Sequence, residues 1–256
     1  MNYQLKILYQ DQHIVAIDKP NGLMVHRSKI DVRATQFALQ MLRDQIGQPV
    51  FPAHRIDRPT SGVLLFALDK ETARNLSEQF QSRSVTKQYT AIVRGIPAAS
   101  GTWNEPLVEK PDRIVDRLAD HNKPAQPAVT KFKTIRSWQI PFATGPTAKY
   151  ANSRYSLVEI NPLTGRRHQI RRHFNHMAHP IVGDTTHGDR RHNRLFREQL
   201  KINRLLLVAK SLSFHHPITE NNLTIEADLG LEFEEAIKQL NSHSTLEATL
   251  SKKSRS

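Results

Sequence analysis

Cysteine is absent from all 256 residues. Its absence excludes disulfides, thiolate nucleophiles, iron–sulfur clusters and cysteine-based zinc sites within the chain. Long hydrophobic runs are missing too. The longest clean apolar stretch, Val63 to Leu68, covers six residues, against the roughly 20 that a membrane-spanning helix needs. No basic patch followed by an apolar block opens the chain; Leu5, Ile7 and Tyr9 alternate with polar residues from the start, so neither a secretory leader nor a membrane partner is expected. The expected location is the cytoplasm. Acid is also scarce, at 24 Asp and Glu against 37 Lys and Arg, a formal charge of +13.

An excess of that size creates a surface potential that attracts polyanions. The C-terminal tail carries only Lys252, Lys253 and Arg255 of it, so the basic surface belongs to the body of the protein. With 38% apolar residues, the chain is long enough for a substantial core in one large domain or two small ones.

Residues 5–17 read as two short strands around a turn at Asp11-Gln12, followed by a sharp turn at Lys19-Pro20-Asn21-Gly22. The spacing of Phe37, Leu39, Met41, Leu42 and Ile46 predicts a helix over 34–46. The uninterrupted run at 62–68 predicts a buried strand. Asp69 reads as the N-cap of a helix ending near Arg83, and 85–94 alternates as a strand stopped by Gly95.

From Pro97 to Pro127 the texture changes, with five prolines, many charges and little periodicity; this reads as an irregular surface excursion with room for a short hairpin. Strands are expected again at 129–135, 154–160, 204–209 and 223–227. A turn at 162–165 leads into a helix carrying Ile170, Phe174 and Met177, which His179-Pro180 ends. A closing helix is expected at 231–240, with residues 1–241 as one catalytic domain and 242–256 as a disordered basic tail. Strands outnumber helices without regular alternation. The expected class is α+β, a mixed and largely antiparallel sheet with flanking helices.

Two segments concentrate chemistry. In His54-Arg55-Ile56-Asp57-Arg58-Pro59-Thr60-Ser61-Gly62, an acid flanked by two arginines sits on a loop before a buried strand. Nearby positive charge favours the ionised carboxylate that a nucleophile or general base requires; a loop-fastening salt bridge is the competing reading. The second is Thr164-Gly165-Arg166-Arg167-His168-Gln169-Ile170-Arg171-Arg172-His173. If it is helical, Arg167 and Arg171 share a face at i,i+4, where they repel unless an anion lies nearby; a solvated basic face is the alternative. His168, His173, His176 and His179 invite a zinc site, but no carboxylate lies between them and no familiar ligand spacing appears. Ser61 lacks the glycine-flanked elbow of a hydrolase nucleophile. No metal and no cofactor are expected.

The first segment, followed about a hundred residues later by Thr164-Gly165-Arg166-Arg167-His168-Gln169-Ile170-Arg171, resembles the RluA-type pseudouridine synthase family. Lys19-Pro20-Asn21-Gly22 with Val25-His26, Lys87-x-Tyr89-x-Ala91-x-Val93-x-Gly95, and His179-Pro180-Ile181-Val182-Gly183-Asp184 resemble further family motifs in the expected order. Departures are mild: Asp18 stands where Asn often precedes Lys-Pro, and Ile56 and Ile170 replace leucines. The resemblance implies a synthase fold with a central RNA-binding cleft and isomerisation of a uridine that must be flipped out of its helix.

It further implies that Asp57 is the essential carboxylate, whether it attacks the sugar, attacks the base or removes a ribose proton. Tyr89 would lie against the base and Arg171 would pair with Asp57. Ile170 would wall the uracil site, and Arg55 would fill the gap left by the flipped nucleotide. Arg166, Arg167, His168 and Arg172 would bind substrate, and Arg190, Arg191 and Arg194 would reach phosphates.

Arg43 to Gln48, Pro127 to Thr130 and His187-Gly188-Asp189 resemble the branch acting on position 65 of tRNA, which lacks a separate N-terminal RNA-binding domain. The same chemistry on ribosomal RNA, or an RNA-binding protein that has lost catalysis, are the alternatives. A monomer without a protein partner is expected.

Overall fold

The computed structural model describes residues 4–26, 35–108, 124–145 and 150–245. Its ten strands form one sheet. In chain order the strands are β1 (Lys6–Gln10), β2 (Ile14–Lys19), β3 (Phe51–Pro52), β4 (Ser61–Ala67), β5 (Thr86–Arg94), β6 (Ser100–Asn104), β7 (Val129–Ile140), β8 (Ser153–Pro162), β9 (Leu207–His215) and β10 (Asn222–Glu226). The main path runs β1-β2-β4-β9-β5-β8-β7-β6, with β10 on β9 and β3 on β4. Every pairing is antiparallel except β4 with β9, a parallel seam of two residue pairs, Ser61↔Val208 and Gly62↔Ala209.

β4 is buried along its whole length, which explains its unbroken apolar sequence: a central strand covered on both faces has no polar side to show. Leu64 and Phe66 pack with Ala38 and Leu42 of α1 (Ala38–Ile46). Val63, Leu65 and Ala67 pack with Leu76 of α2 (Lys70–Ser82) on the other face. The same division recurs further along the sheet. Ala91 and Val93 meet α3 (Gln169–His176), whereas Ile92 meets α4 (Arg190–Gln199) and α5 (Leu231–His243). Period-two alternation along strands thus feeds two apolar layers.

Local signals act where expected. The Asp69 carboxylate accepts the Thr72 amide N–H at 2.8 Å and caps α2. Gly47, at φ 72°, ends α1 in the left-handed region. Five expectations are corrected. α1 begins at Ala38; the earlier part of the span expected from 34 reaches into residues outside the described ones. β9 runs from Leu207 to His215 rather than over 204–209, and β7 continues to Ile140. Residues 190–199 form a helix where the hydrophobic pattern predicts no element. Finally, α5 extends to His243 rather than 240, and the Thr245 amide donates to the Gln139 carbonyl at 2.7 Å; the rest of the expected tail, from 246, lies outside the described residues.

The excursion after Pro97 starts as β6, which pairs with β7 from Ser100↔Lys133 to Asn104↔Val129 and continues in the bridge Leu107↔Gln126; most of what lies between falls outside the described residues. Among the described residues no helix is long and apolar enough to cross a membrane.

Candidate active site

Asp57 sits on the loop joining β3 to β4, and two features fix that loop. Gly62, at φ 107°, lets the start of β4 lie directly against β9; a Cβ there would be 2.2 Å from the Ala209 carbonyl oxygen, so only glycine fits. On the other side the loop is stapled to the turn after β2. The Gly22 amide donates to the Arg58 carbonyl at 3.0 Å, Arg58 Nε returns a bond to the Gly22 carbonyl at 3.0 Å, and Asn21 Nδ2 donates to the Pro59 carbonyl.

Lys19 completes this staple. A lysine before proline in a turn is more often a surface charge, but Lys19 is fully buried. Its Nζ donates to the carbonyls of Pro20, Leu23 and Arg58 at 2.9, 2.8 and 3.1 Å. Burial pulls its ammonium down to about 7, with the Asp57 charge opposing that shift. Three acceptors for three N–H donors is the pairing that makes a buried ammonium tolerable.

Arg171, on α3, is 3% exposed and divides its nitrogens between two carboxylates. Nη1 donates to Asp57 Oδ2 at 3.0 Å. Nε and Nη2 form a two-point pair with Asp184 at 2.7 and 2.8 Å. Burial would lower the guanidinium's pKa, but Asp184 and then Asp57 reverse the effect and raise it. Burial likewise pushes the Asp184 carboxyl up, and Arg171 together with the His187 and Thr186 amides more than offsets this, leaving it below its ordinary value.

Asp184 was not singled out from sequence. The motif around it was recognised, but nothing local says that its carboxylate faces Arg171. The expected i,i+4 stacking of Arg167 on Arg171 is also corrected: α3 begins at Gln169, Arg167 is exposed ahead of it, and Arg171 is buried.

The turn leading into α3 is organised by Thr164 and Gln169. Gln169 Oε1 accepts from Thr164 Oγ1 at 2.6 Å and from the Arg166 amide at 3.0 Å, while its Nε2 donates to the Val129 carbonyl and Thr130 Oγ1, each at 3.0 Å. His168 follows in the left-handed region at φ 55°, an uncommon conformation for a side-chain-bearing residue. The tightness of the turn places its Nε2 4.0 Å from Asp57 Oδ1 and its Nδ1 2.9 Å from His187 Nε2. Burial pulls His168 down to about 4, so it is a neutral imidazole near pH 7.

Tyr89, on β5, packs in the cluster that includes Ile170 and Phe174. Burial, reinforced by the Asp57 charge, holds its phenol protonated well above the ordinary range. The structure therefore gathers Asp57, Tyr89, Ile170, Arg171 and His168 at one place. Arg55 is exposed beside them. Arg166 Nε donates to the Pro127 carbonyl at 3.2 Å.

Arg172 departs from the expectation of a phosphate contact. It is 9% exposed and its Nη1 donates to the Val108 carbonyl at 2.9 Å, so it fastens the base of the excursion. The histidines whose number invites a zinc site are each engaged elsewhere. His173 bonds Thr130 Oγ1 and the Glu105 carbonyl, His176 bonds the Glu105 carboxylate, and His179 bonds the Arg94 carbonyl. Among the described residues no group of three His, Asp or Glu could hold a metal ion.

Beyond this centre lies α4. Asp189 caps it and pairs with Arg94 at 2.5 Å. Arg190, Arg191 and Arg194 are exposed in its first turns, where the positive end of the helix dipole disfavours cations.

Residues 13–176 match the family model described as RNA pseudouridylate synthase. The tRNA pseudouridine synthase C of Vibrio cholerae is 51% identical over 225 residues, covering 88% of this chain and 91% of that protein. The tRNA pseudouridine synthase C of Haemophilus ducreyi is 49% identical over 242 residues, covering 94% and 98%. Among solved structures, human RNA pseudouridylate synthase domain containing 4 superposes with a TM-score of 0.66 at 30% identity, covering 92% of this chain and 93% of that one. The chain belongs to the RNA pseudouridylate synthase family, and its α+β fold is that of these enzymes.

Proposed function

We propose that this protein isomerises a uridine of tRNA, at position 65, to pseudouridine, acting as a cytoplasmic monomer whose described residues form one catalytic domain. The observation that carries the reading is the unequal division of Arg171. Asp184 takes two of its nitrogens and its side chain is 1% exposed; Asp57 takes one and its side chain is 21% exposed. Asp57 Oδ1 accepts no hydrogen bond among the described residues. Of the two carboxylates paired with Arg171, Asp57 alone is open to a substrate.

The reaction breaks N1–C1′, turns the uracil and joins C5 to C1′; C5 loses its proton and N1 gains one. Asp57 supplies the anion that the first step needs, whichever atom it meets. The flipped base would lie against Tyr89 and Ile170, where the tyrosine ring stacks and its protonated hydroxyl offers a hydrogen bond. Arg55 would enter the gap left in the RNA. Arg166, Arg167 and His168 would contact the nucleotide and its neighbours, and Arg190, Arg191 and Arg194 would meet phosphates, the anions that their place at a helix N-terminus favours. The similarity to two tRNA pseudouridine synthase C enzymes over most of both chains favours tRNA over ribosomal RNA.

The test is pseudouridine mapping by carbodiimide modification and primer extension on unmodified tRNA and on ribosomal-RNA fragments, with wild type and Asp57→Asn. A stop at position 65 of tRNA with wild type alone is expected, with RNA binding retained in the variant. A stop only in ribosomal RNA would overturn the substrate. Full activity of Asp57→Asn would overturn the role of Asp57.

A further inference from the structure

Asp57 is connected to α4 through the buried Arg171 and Asp184, and one half-buried side chain makes the join. Asn193, in the second turn of α4, accepts the Gly183 amide N–H on Oδ1 at 2.8 Å and donates from Nδ2 to the Asp184 carbonyl at 2.8 Å. An amide side chain that meets an N–H and a C=O on successive residues has only one orientation that satisfies both. It acts on the backbone of the residue whose carboxylate orients Arg171. The Asp184 side chain is held from within as well, with Oδ1 accepting the Thr186 and His187 amides at 2.9 Å each.

The surrounding packing leaves this segment nowhere else to go. A Cβ on Gly183 (φ 80°) would lie 1.8 Å from the Arg204 carbonyl oxygen, and one on Gly188 would lie 2.1 Å from that of Asp184. Upstream, Val182 exchanges backbone hydrogen bonds with Ile92 and Leu206. Gly183 and Asp184 are therefore gripped between the sheet and α4, and Asn193 is the grip on the α4 side.

We propose that Asn193 is a positioning residue for the isomerisation: through Asp184 it fixes Arg171 and hence Asp57, so that α4 is at once the basic surface facing RNA and a support of the catalytic carboxylate. The inference rests on the activity proposed above.

The experiment is a double-mutant cycle in the full chain, read by single-turnover rate, RNA Kd and thermal midpoint. Asn193→Ala should slow the rate on the order of tenfold, with Kd changed less than about twofold, since only the geometry at Asp57 has been loosened. Asp184→Asn should slow it more. The double variant should be no slower than Asp184→Asn alone, because both act through one group.

Asn193→Asp retains the acceptor but loses the donor, and should resemble Asn193→Ala rather than wild type. Where Asp184→Asn fails to fold, the cycle is run with Arg171→Lys, with the same non-additivity expected. Rates that multiply in the double variant, a loss confined to Kd, or an Asn193→Ala enzyme as fast as wild type would each overturn the positioning role. Inactive wild-type protein on every RNA tested would instead overturn the activity itself, and the two failures are thereby distinguished.

Discussion

Replacing Lys19 with methionine separates a structural cation from a surface one. The side chain is fully buried and its three donors meet three backbone carbonyls. Burial lowers its pKa from 10.5 to about 7. Because the folded value lies below the unfolded one, the unfolded chain binds the extra proton between these two pH values, and stability rises with pH across that window. The slope is about 1.4 kcal/mol per pH unit at most, or roughly 2 kcal/mol between pH 7.5 and 9.0. Methionine fills a similar volume and does not titrate. Lys87, also lowered by burial, contributes with the same sign but is present in both proteins and cancels in the difference.

The stability gap between wild type and Lys19→Met should therefore shift in favour of wild type by roughly 2 kcal/mol from pH 7.5 to 9.0. Urea denaturation at both pH values measures it. Methionine also removes the tie from β2 to the Arg58 carbonyl, next to Asp57, so the single-turnover rate should fall on the order of tenfold or more, in line with the sensitivity of reactions to small displacements. A gap that stays flat with pH would refute the inference that a titrating lysine is buried there. A flat gap with an unchanged rate would return Lys19 to the surface charge that its sequence context suggests.

Two further perturbations probe the surface and the seam. Alanine at Arg190, Arg191 and Arg194 together should weaken RNA binding and flatten the dependence of log K on log salt by about 2 to 3, near one per lost phosphate contact; an unchanged slope in filter binding would place the RNA elsewhere. Gly62→Ala puts a methyl 2.2 Å from the Ala209 carbonyl at φ 107°, which β4 can accommodate only by leaving β9. A loss of at least a few kcal/mol in urea unfolding is expected, with activity falling in the fraction that remains folded; wild-type behaviour in both would show that the seam yields.

Much of the fold was legible because its signals are local. The unbroken run of β4 states that both faces are covered, and Asp69 with the apolar positions of α2 marks a helix and its start. α4 escaped because its segment, RRHNRLFREQ, buries only Leu195 and Phe196, too narrow a stripe for a periodicity reading. Its arginine-rich first turn also reverses the acidic signal that usually announces a helix N-terminus.

At the site, Asp57, Tyr89 and Arg171 stood out as chemically suited residues in recognisable motifs. Lys19 and Arg172 were misjudged for a single reason. A charged side chain looks the same in sequence whether it faces water or a carbonyl; Lys19 meets Pro20 and Leu23 nearby, but its third partner, Arg58, and the Arg172 partner, Val108, lie 39 and 64 residues away. Asp184 is a related case: its two-point pair with Arg171 is made by tertiary packing and leaves no trace in spacing.

The register of β9 explains why residues so distant in sequence converge. Ala209 pairs with Gly62 on one side and with Tyr89 on the other, so the strand carrying the tyrosine and the loop carrying Asp57 are set by the same residue of one central strand. Between Gln88↔Ser211 and Tyr89↔Ala209 the pairing skips Lys210. A one-residue change of register exchanges the faces of a strand, so this bulge changes which β9 side chains share a face with Tyr89. The skipped residue is itself fastened, since the Ala227 amide donates to the Lys210 carbonyl at 2.9 Å and Lys210 Nζ donates to the Ala227 carbonyl at 2.5 Å. The placement of Tyr89 beside the Asp57 loop thus depends on an irregularity held from the far side of β9, and a deletion at Lys210 should disturb the site more than its distance in sequence from Asp57 suggests.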